Sequence, residues 1–115
     1  MDAYQLDDLL AEGAATGRPY FEFQRTPDLS VGLYVLPAGG VDGQQPHTED
    51  EVYWVVSGRA SIRVGAEDRS VVPGSVVFVA AGVEHRFHSI EEELVTLVAF
   101  GPAEASRAGQ PAPET

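Results

Sequence analysis

An antiparallel all-β sandwich or barrel, preceded by one short helix, is the fold class this chain predicts. Three observations carry it. Short runs rich in Val, Tyr and Phe recur from residue 20 to residue 100. Compact turn sequences separate them, among them Ser57-Gly58-Arg59, Gly65-Ala66-Glu67-Asp68 and Val72-Pro73-Gly74-Ser75. No helical pattern of useful length lies between them, which argues against alternating β-α units.

The helix comes first, from about Asp2 to Gly13. Leu6, Leu9 and Leu10 fall at helical spacing, Asp7, Asp8 and Glu12 lie between them, and Gly13 is a plausible stop. Eight strands are then expected, at 20–25, 29–36, 52–56, 60–64, 69–72, 76–79, 84–89 and 94–100. The segment beyond Gly101 carries prolines and small alanines with almost nothing to bury, so a mobile tail is expected. The domain reading is a helical segment over 1–17, a barrel over 18–101 and a flexible tail over 102–115.

Composition narrows the function. At 115 residues with 43% hydrophobic content the chain makes one domain with a real core. It contains no cysteine, so disulfides, thiolate ligands and thiol nucleophiles are excluded. All seven positive charges are arginine, which excludes lysine Schiff bases. A formal charge of −11 argues against nucleic acid and against anionic membranes. No apolar run reaches the roughly 18 residues that cross a bilayer, and Met1 to Gln5 lacks the features of a secretory signal. A cytoplasmic protein that binds a small molecule, a metal or another protein is expected.

The chemistry clusters at two places. His47 and Glu51 stand four residues apart where a strand-like run begins, and His85 follows just after Gly82. Imidazole and carboxylate together suit a borderline divalent metal. Side chains alternate along a strand. Glu51, Tyr53 and Val55 therefore share one face, as do His85, Phe87 and Ser89, while Val52, Trp54 and Val56 face the other way. If Glu51 and His85 point inward, Tyr53 and Phe87 line the same cavity and His88 is excluded from it. Glu49 and Asp50 read as a solvated turn, and Glu91, Glu92 and Glu93 as an exposed loop.

These residues resemble the cupin superfamily, whose first motif is Gly, five residues, His-x-His, three or four residues, Glu, six residues and Gly. Gly39, His47, Glu51 and Gly58 fit that spacing, with Gln45 where the first histidine stands. The second family motif is Gly, five residues, Pro-x-Gly, two residues, His, three residues and Asn. Gly74, Gly82 and His85 fit it, with Ala80 for the proline and Ser89 for the asparagine.

The resemblance covers about Gly39 to Ser89 and implies a double-stranded β-helix, or jelly-roll, barrel. It implies His47, Glu51 and His85 as metal ligands. Gln45 would complete the set or hydrogen-bond one of the ligands from behind, and Tyr53 becomes a candidate proton donor or orienting hydroxyl. The implied cofactor is a divalent transition metal: Fe, Zn, Mn, Ni or Cu. The implied functions are a dioxygenase-like or isomerase-like enzyme on a small oxygenated molecule, or a binding and sensing cupin without turnover. The outward Val52, Trp54 and Val56 suggest a homodimer.

Overall fold

A computed structural model describes residues 1–44 and 46–106. Helix α1 (Leu6–Thr16) is followed by six strands: β1 (Tyr20–Thr26), β2 (Leu29–Leu36), β3 (Asp50–Val64), β4 (Glu67–Val71), β5 (Val76–Val79) and β6 (His85–Gly101). All pairings are antiparallel, in the order β1-β2-β6-β3-β4, with β5 added to β3. The sheet rolls into a jelly-roll barrel.

Alternation along β2 divides the molecule into two cores. Tyr34 and Leu36 point into the barrel with Tyr53, Val55, Ile62, Phe87, Leu94, Val98 and Phe100. Leu33 points outward and packs with Val95 beneath Leu9 of α1. The helix therefore covers part of the outer surface and leaves the barrel interior to polar side chains at one end. It runs three residues past the expected stop at Gly13 and ends at Gly17, which adopts the left-handed cap conformation.

Two long strands replace four expected short ones. The runs 52–56 and 60–64 are one strand, β3, bent by irregularities between Val55 and Ser61. Gly58 makes the bend: its φ is +93°, and a Cβ there would lie 2.2 Å from the Glu93 carbonyl oxygen. Inward positions are odd before this bulge (Glu51, Tyr53, Val55) and even after it (Ala60, Ile62).

The runs 84–89 and 94–100 likewise merge into β6. Glu91, Glu92 and Glu93 are thus strand residues, exposed on its surface, and Glu92 faces Arg59 across the ladder. Parity changes here too. Ser89 has a φ of +51° and is exposed, so Ile90 and not Ser89 continues the inward row of His85 and Phe87.

A mobile tail is the expectation from residue 102 onward. Residues 102–106 fold back on the barrel, Ala103 is 1% exposed, and backbone groups anchor this short strap. A small side chain suits the packed position, and hydrogen bonds supply what apolar area does not. Residues 107–115 of the expected tail lie outside the described residues. Among the described residues no helix is long and apolar enough to cross a membrane.

Candidate metal centre

Each candidate side chain enters the barrel from a strand or from the loop before one. Glu51 and Tyr53 project inward from the start of β3, and His85 from the first residue of β6, on the same barrel interior. His47 reaches in from the loop before β3, where Gly82 donates its N–H to the His47 carbonyl at 2.7 Å. The candidate ligand atoms of His47, Glu51 and His85 all lie within 4.8 Å of one another. Gln45 lies outside the described residues.

The electrostatics of this cluster are unusual. Nδ1 of His85 stands 2.9 Å from the Val83 carbonyl, which can only accept, so Nδ1 carries a proton. Nε2 then presents its lone pair inward, 2.9 Å from Glu51 Oε1. Glu51 is 2% exposed, and despite that contact Oε1 has no donor aligned with it among the described residues. Two acceptors facing each other at buried positions need a cation or a proton between them.

A divalent metal held by those two groups would supply the missing positive charge. The residues present therefore fit a divalent metal. Without one, a proton fills the gap. Burial pushes the His85 pKa down, but the Glu51 carboxylate and the Val83 carbonyl outweigh it, and the net shift is upward.

Tyr53 is fully buried. Its hydroxyl donates to Gln44 Oε1 at 3.1 Å and lies 3.2 Å from His85 Nε2. Burial and the Glu51 charge drive its pKa far above the ordinary phenol range, so it stays a donor and not a base.

Gln44 is a site residue the sequence did not single out. Its Oε1 also stands 3.1 Å from His47 Nε2, while its Nε2 donates to Asp42 Oδ2 at 2.7 Å. Asp42 in turn accepts from the Tyr34 hydroxyl and from the Phe87 N–H. The loop before β3 is thus tied to both β2 and β6. An Asp-Gly-Gln run reads as a turn, and nothing in that pattern announces a buried carboxylate.

Glu49 also departs from expectation. It is 1% exposed, accepts from the Thr48 hydroxyl, and takes the Ala105 N–H at 2.6 Å. The strap that covers it was invisible to local sequence pattern. Asp50 is exposed and accepts from the Ala81 N–H at 2.9 Å, and His88 pairs with Asp68 at 2.8 Å outside the barrel.

The cavity around the cluster holds about 120 Å³ and is lined by His47, Glu51, Tyr53, Tyr20, Tyr34 and Glu104 among others. At ~30 Å³ per water this is room for a few waters or one small ligand. The Cupin domain family model matches residues 32–101, which span both histidine segments and the barrel strands from within β2 through β6. The chain belongs to the cupin family.

This cupin is 55% identical over 105 residues to the uncharacterized protein SCO3923 of Streptomyces coelicolor, covering 91% of this chain and 100% of that one. A Cupin 2 conserved barrel domain protein from Salinispora arenicola superposes with a TM-score of 0.69 at 20% identity, over 88% of each chain. The DMSP lyase DddQ of Ruegeria pomeroyi superposes with a TM-score of 0.65 at 21% identity, over 77% of this chain and 50% of its own. The likeness to these two structures is one of fold.

Proposed function

We propose that this cupin is a metal-dependent enzyme acting on a small oxygenated molecule. His47, Glu51 and His85 hold a divalent transition metal (Fe, Zn, Mn, Ni or Cu) in this reading. The observation that carries it is Glu51 Oε1, buried without an aligned donor and 2.9 Å from the lone pair of His85 Nε2. A metal there supplies Lewis acidity, and two histidines with one carboxylate is the ligand set of many non-haem iron oxygenases. Dioxygenase-like chemistry is therefore placed ahead of isomerase-like chemistry.

The chain's own residues do the rest. Tyr53 offers a firmly held hydroxyl that orients a ligand oxygen. The aromatic rings of Phe100 and Phe87, packed edge-on against His47 and Tyr53, hold these side chains in place. Protein purified without added metal is to be analysed for its metal content, then loaded with iron(II) and offered small oxygenated substrates. Oxygen uptake that depends on substrate supports the reading. Turnover that proceeds equally without oxygen leaves isomerisation, and an empty site that refuses reconstitution removes the metal altogether.

Binding without turnover is the second reading. Gln45 at the position of a family histidine favours it, because an amide holds a transition metal less firmly than imidazole. Tight ligand binding with no product formed by any loaded form would support it.

A homodimer accompanies either reading. Val52 faces Phe78 and Trp54 faces Val76 on the outer surface of β3 and β5, and all four are exposed, Val76 by 68%. An apolar patch on two adjacent strands suits a second copy of the same chain. Sedimentation at micromolar concentration is expected to give twice the mass of the chain, and Trp54→Glu is expected to return it to a monomer.

A further inference from the structure

The strap that follows β6 delivers a carboxylate to the cavity. Its anchors all use backbone atoms of the strap itself: the Ala103 N–H to the Pro27 carbonyl at 3.3 Å, the Glu104 N–H to Ser30 Oγ at 2.8 Å, and the Ala105 N–H to Glu49 Oε1 at 2.6 Å. Arg25 clamps the Glu104 carbonyl at 2.8 Å while paired with Glu22. None of these bonds involves the Glu104 carboxylate, which accepts no hydrogen bond among the described residues. It lines the same cavity as His47, Glu51 and Tyr53.

Tyr20 completes that wall. Its ring lies over Gly32, where a Cβ would stand 2.5 Å from the phenol oxygen, so only glycine lets the hydroxyl reach this depth. The hydroxyl is buried and has no partner among the described residues. Tyr20 and Glu104 also line an outer cleft of about 420 Å³. The two residues therefore form the boundary between that cleft and the inner cavity.

A buried hydroxyl without an acceptor is costly to leave unmatched, and the half-buried Glu104 carboxylate, which accepts from no side chain among the described residues, is open to a donor from a ligand. One ligand hydroxyl satisfies both, accepting from Tyr20 and donating to Glu104. Charge points the same way. A divalent metal held by Glu51 keeps one net positive charge, and the Glu104 carboxylate balances it. The cavity so composed favours a neutral ligand and disfavours an anion.

We propose that Glu104 and Tyr20 are the specificity-determining wall of this site, selecting neutral, hydroxyl-bearing small molecules over anionic ones. The proposal rests on the metal reading above. The test uses cobalt(II) as the metal, whose visible spectrum reports ligand binding without any turnover. Two probes of matched shape, glycolamide and glycolate, differ by one charge and by an NH2 in place of one carboxylate oxygen, a difference every variant shares.

In the native protein and in four variants, the ratio of glycolate to glycolamide affinity is read from the spectral titrations. Glu104→Gln is expected to shift that ratio toward glycolate by about tenfold, or ~1.4 kcal/mol. Glu104→Asp is expected to keep the native ratio. Glu92→Gln, which removes a surface charge elsewhere, is expected to leave it unmoved. Tyr20→Phe is expected to weaken both probes alike, about three- to tenfold, the worth of one hydrogen bond.

Full cobalt content with an unchanged ratio in Glu104→Gln overturns the proposal and spares the metal reading. So does an equal shift in Glu92→Gln. Failure of the native protein to take up cobalt overturns both. Because the strap is held by its backbone, Glu104→Gln is expected to keep the native thermal midpoint, which separates selectivity from folding.

Discussion

His85 Nε2 faces Glu51 Oε1 at 2.9 Å while the opposite ring nitrogen is committed to the Val83 carbonyl. The Val83 contact fixes the tautomer and the ring plane, the task an outer hydrogen bond performs for a metal-binding histidine. Glu51 faces His85 from the inner side of β3, 2% exposed. The barrel thus stabilises a pair that is incomplete on its own terms. What completes it, metal or proton, sets the behaviour of the whole site.

Metal content should follow the two histidines. His47→Ala and His85→Ala are each expected to lose the metal that the native protein is expected to retain, with far-ultraviolet dichroism unchanged. His85→Ala also leaves a buried carboxylate without its neighbour, at a cost of about 1–3 kcal/mol. His47 is half-buried and its loss should cost less. Elemental analysis after gel filtration checks the first point and urea unfolding the second. Unaltered metal in both variants would refute the site.

Acidity should act differently on the metal-free and loaded forms. The His85 pKa is raised in the folded protein, so its protonated form stabilises the fold. That contribution is fully present below the unfolded histidine pKa of ~6.5, and it is lost as pH rises through the higher folded value. The metal-free protein is therefore expected to lose thermal stability as pH climbs above that unfolded value. The loaded protein, in which the metal replaces the proton, should not show that loss. Paired melting curves across this range decide it, and parallel curves for the two forms would sink the claim.

The barrel and its inward faces were legible because strand alternation is a local property. Glu51 and Tyr53 fall on one side of β3, and His85 and Phe87 on one side of β6, as two-residue periodicity requires. The family spacing added the link between segments that alternation cannot supply. What stayed hidden was set by distant contacts. Gly58 looks like a hairpin turn until the Glu93 carbonyl is seen pressed against it. Glu49 looks solvated until the strap covers it, and Asp42 and Gln44 read as a turn until Phe87 and Tyr53 supply their partners. Glu104 sat in a segment with little to bury, and only backbone hydrogen bonds bring it to the cavity.

Two neighbouring glutamines should behave unequally. Gln44 Oε1 touches both Tyr53 and His47, and its amide nitrogen donates to Asp42. Truncation removes all three contacts, and loss of an outer partner of a metal ligand typically weakens metal binding by about 10–100-fold. Gln44→Ala is expected to show that loss in competition with a chelator. Gln45 holds the family's ligand position in sequence, and Gln45→Ala is the comparison. Loss of metal on Gln45→Ala with none on Gln44→Ala would return the amide role to the motif position.

The bulge at Gly58 can be separated into its two costs by a pair of glycines. Gly58 and Gly74 share a φ of +93°, so alanine at either carries the same kind of backbone strain, about 1–3 kcal/mol. They differ in what surrounds them. A Cβ at Gly74 meets nothing within 4 Å, whereas at Gly58 it would stand 2.2 Å from a backbone oxygen of β6. Backbone cannot rotate aside as a side chain can, so β3 and β6 would have to part at their bend. That bend is also where inward parity changes, and shifting it would turn Ala60 and Ile62 out of the core. Gly58→Ala is therefore expected to destabilise the fold by clearly more than Gly74→Ala, a large share of the ~5–15 kcal/mol that holds a domain together. Urea midpoints of the two variants measure the difference, and equal losses would mean that the ladder yields at the bulge without disturbing the core.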